Sequence, residues 1–202
     1  KVNYSQNMLI HTCCADCFLK FYQALSSEEQ KQSQIFFYNP NLYPREEFNA
    51  RLQAVKKVVK SLDPDIKIFV ENYLPQDYFH ALATNRSINE LREKNQSQQI
   101  FTVIPQSRRC PNCWQLRLRA LFEKAKQEHI SLVSSTLLSS NYQDLEQIKK
   151  IVERLSAEYQ IDFYFPKLTK LDRNRVNKGF YKQNYCGCLY SLIEKSREKY
   201  QI

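Results

Sequence analysis

Five short apolar runs, each separated from the next by a stretch with helical spacing, restrict this chain to few folds. The runs are Met8 to Thr12, Ile35 to Tyr38, Ile66 to Val70, Leu132 to Ser134, and Phe163 to Phe165, closed by Pro166. Between them, Phe48, Leu52, Val55, Val59 and Leu62 recur at steps of 4, 3, 4 and 3, which is one helix face, with Pro44 near its first turn. Trp114, Leu118, Leu121 and Ala125 predict a helix beginning near Pro111; Leu145, Ile148, Val152 and Leu155 predict another. Phe18 to Leu25, Tyr78 to Ala83, Ile88 to Lys94 and the tail from Gly187 also read as helical. Strands alternating with helices predict an α/β domain with a mostly parallel sheet of about five strands and helices on both faces. No internal repeat or low-complexity linker divides the 202 residues, so residues 1–202 read as one domain.

Composition narrows the function. Apolar residues at 43% and charged residues at 25% are ordinary globular usage. Only two glycines occur, so the Gly-rich phosphate cradles of the common nucleotide-binding motifs cannot be written anywhere in the chain. A net charge of +9 points to an anionic partner such as nucleic acid. No apolar run approaches the roughly 18 residues of a membrane span, and the start lacks the apolar core of a secretory signal. The expectation is a cytoplasmic protein with no membrane partner, whose cysteines bind metal or do chemistry instead of forming disulfides.

All seven cysteines fall in three clusters: Cys13, Cys14 and Cys17; Cys110 and Cys113; Cys186 and Cys188. Structural cysteines behave as small hydrophobes and scatter among core positions, whereas these spacings bring sulfurs close enough to chelate. The first cluster follows the carboxyl end of the first strand, where open parallel sheets hold ligands. Cys110 and Cys113 are expected at a helix start, whose dipole favours thiolate, with Arg108, Arg109, Arg117 and Arg119 as countercharge. Thiolates select zinc, Cu(I) or iron–sulfur clusters, and a structural zinc or a [4Fe–4S] cluster takes four. Three then remain, either idle or holding a metal with a position open to substrate. Two readings stay open for His11, a supporting partner beside the site or a satisfied strand histidine; His80 and His129 are expected away from the clusters.

These residues resemble the cobalamin-independent epoxyqueuosine reductases. The resemblance runs through His11-Thr12-Cys13-Cys14-Ala15-Asp16-Cys17, Asn39-Pro40-Asn41-Leu42-Tyr43-Pro44 with Glu47 and Arg51, and Cys110-Pro111-Asn112-Cys113 with Arg117 and Leu118. It continues through Ser135-Thr136-Leu137-Leu138-Ser139 with Tyr142-Gln143, and Gly179-Phe180-Tyr181-Lys182-Gln183 with Tyr185-Cys186-Gly187-Cys188. The chain departs from the family's commonest first motif at Asp16, where proline is usual, and some members carry aspartate at the position of Cys17. The resemblance implies a Rossmann-like fold of the adenine nucleotide alpha-hydrolase type without its phosphate loop. It also implies reduction of epoxyqueuosine to queuosine at the wobble position of tRNA anticodons, with a [4Fe–4S] cluster beside a second metal ion.

Removing an epoxide oxygen as water takes two electrons, two protons and a Lewis acid. The chain carries no flavin or nicotinamide motif, so the electrons are expected from an external one-electron donor. Adjacent cysteines would have difficulty turning both sulfurs onto one metal. The expected partition therefore gives the cluster Cys110, Cys113 and one member of each remaining pair, and gives Cys17 with the other two a mononuclear ion, iron or in its place zinc. Asp16, Tyr181 and Tyr185 are the candidate proton donors, although an aspartate in a first helical turn also serves as a cap. Asn41, Ser135 and Thr136 are candidate contacts to the nucleoside or, equally, helix caps. Lys167, Lys170, Arg173, Arg175, Lys178 and Lys182 form a basic run that reads either as a grip for phosphates beside the metal site or as a solvated face. Two other readings fit the cysteines: a non-catalytic, zinc-dependent RNA-binding module and a cluster-dependent tRNA thiolase, the latter weakened by the missing pyrophosphate loop.

Overall fold

A computed structural model describes residues 7–83, 103–170, 172 and 178–200. Its centre is one five-stranded, all-parallel sheet in the order β3-β2-β1-β4-β5, built from β1 (Met8–His11), β2 (Ser33–Phe37), β3 (Ile68–Val70), β4 (Leu132–Ser135) and β5 (Asp162–Phe163). The α/β, Rossmann-like reading holds. β1 is buried at all four positions, as a central parallel strand covered on both faces must be. The strand order reverses between β1 and β4, so their carboxyl ends flank a topological switch point.

Seven α-helices stand among the described residues: α1 (Ala15–Tyr22), α2 (Ser27–Lys31), α3 (Arg45–Leu62), α4 (Pro75–Ala83), α5 (Gln106–Gln127), α6 (Leu145–Tyr159) and α7 (Leu189–Tyr200). α3 buries Phe48, Leu52, Val55 and Val59 as its spacing requires, and stops at Asp63, since a residue before proline is driven out of the helical region. α1 packs on α3, and α5 packs on α6 and β1; right-handed crossovers put these two groups on opposite faces. Phe18, Phe21, Leu118, Leu121, Phe122, Val152 and Leu155 fill the core against the sheet. None of the described helices is long and apolar enough to cross a membrane.

α5 departs from expectation. It starts at Gln106, five residues before Pro111, with Pro105 at its N-cap. Pro111 lacks the N–H that would reach the Ser107 carbonyl, an interior proline costing about 3 kcal/mol. Burial of Trp114, Leu118, Leu121, Phe122 and Ala125 along the rest of the helix offsets that loss. β3 and β5 are shorter than expected, at Ile68–Val70 and Asp162–Phe163. The expected helix at Ile88 to Lys94 lies outside the described residues.

Candidate active site

The first cysteine cluster hangs from the end of β1. Cys14 takes the N-cap of α1 in an extended conformation, and its thiol accepts the Cys17 N–H at 3.5 Å. That capping folds Cys14 back over the first turn, so the sulfurs of Cys13, Cys14 and Cys17 lie within 4.8 Å of one another. The neighbours Cys13 and Cys14 therefore do turn their sulfurs together, contrary to the expected difficulty. A tetrahedral thiolate site with metal–sulfur bonds of about 2.3 Å needs sulfurs roughly 3.8 Å apart, so a small inward movement suffices. The cap in this turn is Cys14, not Asp16.

Thr136, in the turn that follows β4, fixes Cys13. Thr136 Oγ1 accepts the Cys13 N–H at 3.2 Å and lies 3.4 Å from its sulfur. Hydrogen bonds from Cys14 and Cys17, with Thr136 and the charge of Arg117, hold the Cys13 thiol well below its ordinary range. Its partners move the other way. Cys14 is pushed up to about 12, chiefly through its hydrogen bond with Cys13, and Cys17 is pushed up by both neighbours.

Cys110 and Cys113 sit on the second and third turns of α5, beyond the reach of its N-terminal dipole. The expected helix-start activation fails there. Burial pushes both thiols up, and Cys110 is raised further by Cys113, Cys186 and Cys188. The cysteines that do stand at helix starts are Cys14 and Cys188, whose sulfur accepts the Ser191 N–H at 3.4 Å at the head of α7. Burial, Cys188 and Cys113 push Cys186 up to about 12. All seven cysteines are free thiols.

Arg117 ties the three stretches together. It is 2% exposed; its Nη1 donates to Cys113 Sγ at 3.8 Å, its Nη2 to Asn39 Oδ1 at 2.8 Å and its Nε to His11 Nε2 at 3.3 Å. His11 Nε2 also lies 3.2 Å from the Tyr38 carbonyl, and Nδ1 lies 2.9 Å from Ser135 Oγ, so the ring is held on both sides. Burial, then Arg117, lower the imidazole to about 3, so it is neutral. Cys113, Cys13 and Cys186 all act on the Arg117 charge. Arg109, 1% exposed, pairs with Glu194 beside Cys188 and Cys110. Of the other two flanking arginines, Arg119 turns away to pair with Glu158 on the outer surface, and Arg108 is exposed.

A cavity of about 630 Å³ opens over this region, and Cys13, Cys14, Cys17 and Cys186 line it while Cys110, Cys113 and Cys188 do not. Tyr142, Tyr181, Tyr185 and Gln143 form part of its wall. Tyr181 donates its hydroxyl proton to Glu47 Oε2, and burial with that bond pushes the phenol up to about 12. Glu47 Oε1 accepts from Arg51 Nε at 2.6 Å, and Arg51 Nη1 donates to the Cys186 carbonyl at 3.1 Å. The buried Glu47–Arg51 pair thus staples residues 181–187 onto α3. Gly187 makes the close approach possible: at φ +106° a Cβ would stand 2.5 Å from Leu42 Cδ2 and closer still to Arg51.

Of the predicted site residues, Asp16, Tyr181, Tyr185 and Lys182 line the cavity. Ser135 and Thr136 are fully buried and engage His11 and Cys13, and Asn41 is buried with its Oδ1 unpartnered, so none of the three lines the cavity. Lys178 is exposed, and Arg173 and Arg175 lie outside the described residues. His80 and His129 are exposed, away from the cysteines. Lys20 was not singled out from the sequence, although its four-residue spacing from Asp16 is a helical ion-pair signal. Glu47 and Arg51 carry the same signal.

A family model described as Epoxyqueuosine reductase QueH matches residues 8–194. The chain is 29% identical to a Thermotoga maritima protein named epoxyqueuosine reductase QueH, covering 96% of this chain and 93% of that one. It is 28% identical to the Dehalococcoides mccartyi protein of the same name, covering 93% of each. It is also 29% identical to the Helicobacter pylori one, where the match takes 95% of this chain and 51% of the relative. With its cysteines, its cavity and a match across nearly all its length, the chain belongs to the epoxyqueuosine reductase QueH family of enzymes.

Proposed function

We propose that this protein reduces the epoxide of epoxyqueuosine to queuosine in tRNA. The observation that carries the reading is the convergence of Cys13, Cys14, Cys17 and Cys186 on one cavity of nucleotide size, in a chain of this family. The net change removes one oxygen as water and leaves a carbon–carbon double bond, consuming two electrons and two protons. An external one-electron donor provides the electrons.

The donor set fits a [4Fe–4S] cluster and a second metal ion: seven unpaired soft ligands, three of them already close, beside the buried cations Arg51, Arg109 and Arg117. Cys110, Cys113 and Cys188, off the cavity, would hold the cluster together with Cys13. Cys14, Cys17 and Cys186, facing the cavity, would hold the second ion, iron or zinc. When bound, these groups supply single electrons and a Lewis acid for the epoxide oxygen.

The chain's own side chains do the rest. Tyr142, Tyr181 and Tyr185 offer ring faces to an unstacked wobble base. Tyr185 is the favoured proton donor, because Tyr181 spends its hydroxyl on Glu47 and Asp16 its carboxylate on lysines. Lys178, Lys182, Arg175 and the rest of the basic run would hold tRNA phosphates. Ser135 and Thr136 position the site from behind.

The test is anaerobic incubation of metal-loaded protein with epoxyqueuosine-bearing tRNA and a chemical reductant, followed by nucleoside mass analysis. Queuosine is the expected product. Unchanged epoxyqueuosine at full iron loading overturns the reading.

A further inference from the structure

Asp16 Oδ2 receives two ammonium groups at once, Lys20 Nζ at 2.9 Å and Lys182 Nζ at 3.2 Å. All three residues line the cavity. Lys20 comes from α1, one turn beyond Asp16, and is 9% exposed, an unusual depth for lysine. Lys182 comes from the far end of the chain, in the segment that leads to Cys186. Two cations share one anion, so this cluster carries a surplus positive charge at a wall that also presents the rings of Tyr181 and Tyr185. Each ammonium has three donors, so both retain N–H groups for a further acceptor. Because both nitrogens are tethered to one oxygen, they are spaced for a single tetrahedral oxyanion, and their order is established before any ligand arrives.

We propose that Lys20 and Lys182, held together by Asp16, form a phosphate subsite that takes one phosphodiester flanking the nucleotide whose base enters the cavity. Asp16 is on this account a positioning residue. The subsite rests on the reading of the cavity as the site of action on a tRNA wobble base, and it adds the contact that sets how far that base enters. A base directed at the thiols leaves its own phosphates at the wall, where the lysines stand.

The test measures binding of the metal-loaded full chain to an anticodon stem–loop RNA carrying epoxyqueuosine, alongside two RNAs in which one or the other flanking phosphodiester is a neutral methylphosphonate. Wild-type protein should bind one of the neutralised RNAs about tenfold more weakly. Lys20→Gln and Lys182→Gln should each weaken binding of the all-phosphate RNA several-fold and lower its salt slope by about 0.7. Neither variant should lose further affinity for the sensitive methylphosphonate RNA. Equal losses on all three RNAs, or unchanged affinity in both variants, overturn the subsite. If Lys20→Gln fails to match wild-type iron content, Lys182→Gln, on an exposed side chain, decides alone. Failure of the parent reading is seen separately, as no conversion of the epoxyqueuosine RNA by wild-type protein.

Discussion

Arg117 Nη1 stands 3.8 Å from the sulfur of Cys113, one helical turn away on α5, and its other nitrogens are held by His11 on β1 and Asn39 beyond β2. A guanidinium buried to this depth needs an anion; Cys13, the thiol held low, supplies one, and Cys113 and Cys186 would join it as thiolates only when they ligate metal. Arg117→Gln should lower stability by about 3 kcal/mol in urea titrations and reduce iron content. Arg117→Lys keeps the charge but not the fork, so it should recover only part of both. Full iron loading in Arg117→Gln would count against the countercharge role.

Cys17→Ala should spare the cluster iron and lose the second ion. Iron and acid-labile sulfide, counted on anaerobically purified protein, read this directly. Loss of all the iron would mean that Cys17 belongs to the cluster.

Gly187→Ala adds a Cβ into Leu42 and Arg51 at a left-handed position that alone costs about 1–2 kcal/mol. The overlap adds to that cost. The expected result is a lower thermal midpoint and poor metal retention, since Cys186 and Cys188 flank the turn. A wild-type midpoint would show that the segment can shift away without cost.

Glu47→Gln breaks the ionic staple between α3 and residues 181–187. Far-UV circular dichroism should be unchanged, because α3 stays anchored by Phe48, Leu52 and Val55. Limited proteolysis should speed up between Phe180 and Gly187. Unaltered cleavage there would assign the anchoring to Arg51's backbone contacts alone.

Chelation of the metals should leave the secondary structure intact at 25 °C. The large core of Phe, Leu, Ile and Val side chains closes around the sheet with, of the cysteines, only Cys110 at its edge, and Cys113 and Cys188 pack in a separate, smaller cluster. Loss of the helical circular dichroism signal would show that the fold depends on the metal.

How much of this was legible beforehand follows from the range of each interaction. The strand runs, the buried face of α3 and the capacity of the cysteines for metal are written in local spacing, because the periods of 2 and 3.6 residues act within one element. The start of α5 was misread because Pro111 is a strong local signal overridden by burial along the rest of that helix. The cap on Asp16 was misread because the neighbouring Cys14 took the role. Tertiary structure alone decided that Arg117 meets His11 and Asn39, that Arg119 turns outward to Glu158, and that Lys182 reaches Asp16. Those contacts join residues distant in sequence, and only the reversal of strand order between β1 and β4 brings their elements to one edge of the sheet.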